Sequence, residues 1–163
     1  MGSYWASHIA AYDDRIKACV AAIGCFMMNR HSIFEEASPR FRLIYKYMAG
    51  IEDDDEFDEK IVSRMTLKGA ASGIKCPTLI WVGEFDPLSS LEETDAFFNE
   101  VAGPKEMWIF GDDFHTTFNR GLCNVPMSNL AADWLRDRFD GKPLKHAAGR
   151  LFIPVNGTGP YMA

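Results

Sequence analysis

Ile74-Lys75-Cys76-Pro77-Thr78-Leu79-Ile80-Trp81-Val82-Gly83-Glu84-Phe85-Asp86-Pro87 decides how this chain is read. A proline precedes a short apolar run rich in β-formers, Leu79 to Val82, and the run breaks off at Gly83, with Asp86-Pro87 close behind. That pattern predicts a buried strand that delivers the carboxylate of Asp86 into a loop at its C-terminal end. Open α/β sheets carry their chemistry at that edge. A second strand is expected over Glu106-Met107-Trp108-Ile109-Phe110, and its exit loop, Gly111-Asp112-Asp113-Phe114, delivers His115. An acid after one strand and a histidine after the next form the closing half of an acid–histidine relay, whose missing member is a nucleophile from earlier in the chain.

Upstream, Trp5, Ile9 and Tyr12 share a helical spacing with His8 on the same side, so a helix packed through that face is expected, with His8 a packing residue. Arg15 to Gly24 then reads as a strand, small and apolar within, as a parallel strand covered on both faces should be. From about residue 25 to 73 the pattern turns helical, with Phe41, Ile44, Tyr45 and Met48 at amphipathic spacing and Ile61, Val62 and Met65 after an acidic run. Asp53-Asp54-Asp55 lacks the glycine and the ligand spacing of a calcium loop, and reads as a helix start whose carboxylates favour the dipole. This insert occupies the place of a cap or lid. Its Phe26, Met27, Met28, Phe34 and Phe41 are read mainly as core, with an apolar substrate pocket as the alternative.

Downstream of Asp86, Ser90-Leu91-Glu92-Glu93 has the form of a capping box opening a helix, which Gly103-Pro104 stops. Met127, Leu130, Ala131, Trp134 and Leu135 mark a last amphipathic helix, with Pro126 near its start and Gly141 after its end. The glycine-rich segment 146–163 is expected to be loose, with Leu151-Phe152-Ile153 able to add a short edge strand. Strands alternating with helices imply right-handed crossovers and a parallel sheet. The expected fold class is therefore α/β, with three parallel strands, flanking helices and a helical insert within residues 1–145.

At 163 residues and 47% hydrophobic content the chain has the size and core of one domain. Its net charge of −6 and the lack of a Lys/Arg cluster argue against nucleic acid as a partner. No apolar run is long enough to span a bilayer, and residues 1–30 lack the order of a signal peptide. Cys19, Cys25, Cys76 and Cys123 form no Cys-x-x-Cys pair, which speaks against a metal or redox framework and for a reduced cytoplasmic setting.

These residues resemble the C-terminal half of an α/β-hydrolase, in which a serine on a G-x-S-x-G elbow, an acid and a histidine follow in that chain order. Gly2-Ser3-Tyr4-Trp5-Ala6, Gly83-Glu84-Phe85-Asp86-Pro87, Asp112-Asp113-Phe114-His115 and Leu130-Ala131-Ala132-Asp133-Trp134-Leu135 are similar to a narrower group. That group holds the FrsA-like esterases, the dihydropseudooxynicotine hydrolases and the fungal pigment-pathway hydrolases that shorten polyketides. The resemblance implies acyl transfer to water, Asp86 as the acid and His115 as the base. It also implies a small apolar or aromatic ester or ketone substrate under the cap, and no cofactor.

The chain departs from the pattern at the elbow. Met1 and Gly2 take the last two positions of G-x-S-x-G, so the serine would immediately precede Met1, and the oxyanion loop that comes still earlier is also missing. Ser3, at the start of the helix, would point elsewhere; Ser7 and Ser89 have weaker claims, and Ser90 is better explained as a cap. Asp112 or Asp113 could be the acid instead, but the relay acid belongs at the end of the preceding strand, which favours Asp86. Two readings follow: an N-terminally truncated hydrolase, or a non-catalytic half-fold or pseudoenzyme that pairs with another chain through its open sheet edge. A flavodoxin-like binding module ranks last, because no phosphate loop follows a strand.

Overall fold

The computed structural model describes residues 1–115, 127–155 and 161–163. Thr78–Gly83 (β2) is an interior strand of the sheet, and all six of its residues are buried. Cys19–Ala22 (β1) pairs with it on one side and Lys105–Phe110 (β3) on the other, both parallel, with Ala21 opposite Ile80 and Met107 opposite the same Ile80. Side chains alternate across the strands, and the two sets build separate cores. Ile80, Val82, Met107 and Ile109 face one layer of helices, while Leu79, Trp81 and Phe110 face the other.

The sheet is wider than expected. Arg150–Ile153 (β4) pairs parallel with β3, and Tyr161–Met162 (β5) closes that side antiparallel to β4. The segment expected to be loose is therefore partly built into the sheet. Leu151 and Ile153 are buried, and the Arg150 guanidinium lies over the Phe98 ring at 4.3 Å while its Nε donates to Asp95 at 2.7 Å. Long-range pairing of this kind leaves no local signal beyond three apolar residues in a row.

Gly2–Tyr12 (α1) is a helix as expected, but it packs through a different face. Tyr4, Ser7 and Ala10 are buried, whereas Trp5, Ile9 and Tyr12 are 48%, 52% and 72% exposed. The approach is close: a Cβ added at Gly73 would meet the Ala11 carbonyl oxygen at 2.5 Å. Ser7 and Ala10 share the buried face with Tyr4, while Trp5, Ile9 and Tyr12 turn outward. His8 packs beside Tyr12, with the rings tilted and their centroids 4.8 Å apart. Beside α1, the outer edge of β1 carries no strand among the described residues, and Ser3 Oγ donates to the edge carbonyl of Ala22.

The insert between β1 and β2 holds Ser32–Glu35 (α2), Pro39–Ala49 (α3) and Asp54–Lys60 (α4), then two short 3₁₀ turns. Phe26, Met27 and Met28 are core residues, Phe26 stacked on Phe97 at 4.0 Å. Asp53 caps α4 by accepting from the Glu56 N–H, and the fully buried Phe57 anchors that helix against Phe34. The amphipathic reading of α3 fails in part: none of its residues is buried, and Leu43, Ile44, Tyr47 and Met48 are exposed. Of that apolar face only Tyr45 packs inward, against Phe34, and the rest is exposed among the described residues.

Leu91–Glu100 (α5) follows the acid loop, and Met127–Phe139 (α6) buries Trp134 against the sheet face opposite α1. Pro126 lies outside the described residues. Half of the expected capping box forms. Ser90 Oγ accepts from the Glu93 N–H, but the Glu93 carboxylate accepts from the backbone N–H groups of Met28 and Asn29 instead of reaching back to Ser90. No helix among the described residues is long and apolar enough to cross a membrane.

Candidate active site

Glycine is required where β2 ends. A Cβ at Gly83 would meet the carbonyl oxygens of Phe114 at 2.2 Å and Asp113 at 2.5 Å, so the loop after β3 lies directly on the strand end. Backbone bonds lace the two loops together. Glu84 N–H donates to the Phe110 carbonyl and Phe85 N–H to the Asp113 carbonyl, each at 2.9 Å. The Glu84 carboxylate accepts from the Asp112 N–H at 3.0 Å, where Asp112 turns the chain through a left-handed φ of 55°.

This lacing brings Asp86 and His115 together. Asp86 Oδ1 accepts from the Leu88 N–H at 2.9 Å and the Ser89 N–H at 3.1 Å, which fixes its rotamer. His115 Nδ1 lies 2.9 Å from Asp86 Oδ2 and 3.1 Å from Oδ1. The Asp86 side chain is wholly buried and that of His115 is 36% exposed. An ionised carboxylate only accepts, so Nδ1 carries the shared proton and the lone pair of the neutral ring sits on Nε2. Of the rival acids, Asp112 is exposed and Asp113 is buried beside it; neither has a described bond to His115.

Met1 caps α1, its carbonyl accepting from the Trp5 N–H at 3.2 Å, and packs on the core that contains Cys25; Gly2 is exposed. Burial, first of all, pushes the Cys25 thiol above its ordinary value, and the neighbouring Asp86 carboxylate adds to that push. Of the serines near the site, Ser3, Ser32, Ser89 and Ser90 are engaged elsewhere. Ser3 holds Ala22, Ser7 lies on the buried face of α1, Ser32 donates to the Leu88 carbonyl, Ser89 donates to the Gly24 carbonyl, and Ser90 caps α5. None of these hydroxyls is bonded to His115.

His115 opens into a cleft of about 570 Å³ whose walls come from both the loops and the insert, including Phe41, Leu88 and Phe114. Sequence reasoning named Phe41 but missed Glu36, Leu88 and Phe114 as lining residues. It also missed Glu93 as the brace between α5 and the insert, because a capping-box glutamate carries no mark of a long-range partner. No group of His, Cys, Asp and Glu among the described residues is arranged to hold a metal ion.

The fold matches solved structures. The 2,6-dihydroxy-pseudo-oxynicotine hydrolase structure aligns over 87% of this chain with a TM-score of 0.70 and 22% identity. This chain has the α/β-hydrolase fold. Acetyl xylan esterases from Paenibacillus sp. R4 and Thermoanaerobacterium sp. JW/SL YS485 align over 85% of it, with TM-scores of 0.59 and 0.60 and identities of 22% and 18%. The chain spans 39%, 42% and 43% of the lengths of these three structures, so it is part of the fold they display. No family model matches the sequence, and no curated protein sequence does.

Proposed function

We propose that Asp86 and His115 are the acid and the general base of a serine-type hydrolase, and that the nucleophile lies on polypeptide outside residues 1–163. That polypeptide would seat a strand against the open edge of β1 and present its elbow next to Met1 and Gly2. The observation that carries this reading is the wholly buried Asp86 carboxylate, held by two backbone N–H groups and bonded to His115 Nδ1 at 2.9 Å. Nε2 would take the proton of the serine hydroxyl as it attacks an ester or a β-dicarbonyl carbon, and then return it to the leaving group. Asp86 would hold the tautomer and stabilise the imidazolium that forms. The insert would act as the cap, with Phe41 over the cleft, and the free thiols of Cys19, Cys25 and Cys76 suit a reducing cytoplasmic setting.

The test is to capture the endogenous protein with an antibody against helix 127–139 and treat it with a fluorophosphonate. The expected species exceeds twice 18.3 kDa and carries the label on a peptide preceding Met1. In it, Asp86→Asn and His115→Ala should each lower ester turnover by about 10²–10⁴. An unlabelled species with no turnover overturns the reading.

A second reading, a non-catalytic half-fold that pairs with another chain, is favoured by the edge of β1, which carries no strand among the described residues, beside the exposed Trp5, Ile9 and Tyr12. An open edge next to apolar surface is an association site. Its mark would be an 18.3 kDa species that co-purifies with one partner.

A further inference from the structure

A second cavity, of about 270 Å³, lies between α6 and the strands β3 and β4 and shares no lining residue with the His115 cleft. Its walls hold three buried polar atoms without a hydrogen-bond partner among the described residues. Glu106 is 3% exposed; its Oε1 accepts from the Trp134 indole N–H at 2.6 Å, and its Oε2 accepts from nothing. The Nε1–H of Trp108 and the Nε–H of Arg138 likewise have no acceptor, although a terminal nitrogen of Arg138 donates to the Pro143 carbonyl at 3.0 Å. The remaining wall is apolar, built mainly from the Trp134 ring, Leu151 and Ile153.

Buried polar side chains are nearly always paired, and leaving a carboxylate oxygen dry and unpaired is costly. Holding Trp134 uses one oxygen of Glu106, which a glutamine would supply as well. The second oxygen has no work in the fold. Glu106 and Trp108 stand two residues apart on one face of β3, so an unmet acceptor and an unmet donor are neighbours on the same wall.

We propose that this cavity binds a neutral aryl alcohol of one ring, with its hydroxyl on Glu106 and Trp108 and its ring between the two indoles. A hydroxyl donates through its hydrogen and accepts through its lone pairs, so one group can meet Glu106 Oε2 and the Trp108 N–H. An ammonium only donates and would leave the N–H groups unmet. A carboxylate only accepts and would set a second anion beside Glu106. The volume suits a single ring, since a cavity of about 150 Å³ already holds benzene. Indole walls favour an aromatic body. The site needs neither a nucleophile nor His115, so it stands apart from the hydrolase reading.

The probes are 4-methylphenol, toluene and 4-methylbenzoate, titrated into the 163-residue chain while the indole N–H resonances are followed by NMR. The phenol should move the Trp108 N–H downfield and bind about tenfold tighter than toluene, the worth of one hydrogen bond to a buried group. The benzoate should bind more weakly than either. Glu106→Gln keeps an oxygen for Trp134 and should bring phenol and toluene within about threefold. Trp108→Phe keeps an aromatic wall, removes the N–H and should narrow the same ratio, read on the Trp134 resonance. The ratio within each variant cancels any general loosening of the fold. Toluene binding as tightly as the phenol, a preference that survives both substitutions, or no probe that shifts Trp108 overturns the inference.

Discussion

Glu93→Ala tests the claim that the helix after the acid loop braces the insert. The Glu93 carboxylate is buried, with Oε2 2.8 Å from the Met28 amide and both oxygens 3.1 Å from the Asn29 amide. Truncation leaves the buried Met28 N–H without an acceptor, at a cost of about 1–3 kcal/mol, while the Asn29 N–H, only partly buried, recovers some of its loss from water. The lost methylenes add a smaller packing term, so the expected destabilisation is about 2–4 kcal/mol. Glu93→Gln keeps the shape and one acceptor oxygen and should lose about half as much. Chemical denaturation gives the magnitudes, and amide exchange gives the place: Met28 and Asn29 should lose protection while β2 keeps it. A Glu93→Ala chain within 0.5 kcal/mol of wild type, or unchanged exchange at both amides, would refute the reasoning.

Gly83→Ala should push the loop after β3 off the strand end, because the new methyl meets two backbone carbonyls and neither can rotate away. The low-field proton of the His115–Asp86 bond should disappear from the NMR spectrum, with about 1–3 kcal/mol lost in denaturant. Asp54 is held below the usual carboxylate range by Arg42 first and Lys46 second. Its contribution to stability is therefore present above the unfolded carboxylate value, about 3.9, and lost as pH falls through the lower folded value. Asp54→Asn should flatten the melting midpoint between pH 4 and pH 2, slightly, since the group is exposed. Burial pushes the Cys19 thiol up to about 12, and the Cys25 thiol is raised for the same reason. Iodoacetamide at pH 8 should leave both unmodified in the folded chain and label both in denaturant, as read by peptide mass spectrometry.

Local sequence made the Asp86 and His115 strands legible because each strand is short, apolar and cut off by glycine or an acid, and a parallel strand buried on both faces has to look that way. The helix faces were harder to read. Trp5, Ile9 and Tyr12 have perfect spacing, yet α1 packs through Tyr4, Ser7 and Ala10. Periodicity reports that a face exists, and the packing of α1 against both β1 and the Ala71–Gly73 turn decides which one is buried. Glu93 behaves in the same way: its place in Ser90-x-x-Glu93 suggests a local cap, and its carboxylate serves Met28, 65 residues away in sequence.

By itself, the sequence determined the strand–helix alternation, the parallel sheet, and an acid and a histidine at the C-terminal ends of consecutive strands. These depend on residue types within a few positions of one another, which the chain states directly. Tertiary structure alone decided that β4 and β5 widen the sheet, that Ser32, Ser89 and Glu93 tie the insert to the acid loop, and that Glu36 and Asp112 share a cleft with His115. Those are contacts between distant segments. They form because the helices and loops must bury their apolar faces and pair their backbone groups at once, a condition that no local window of sequence contains.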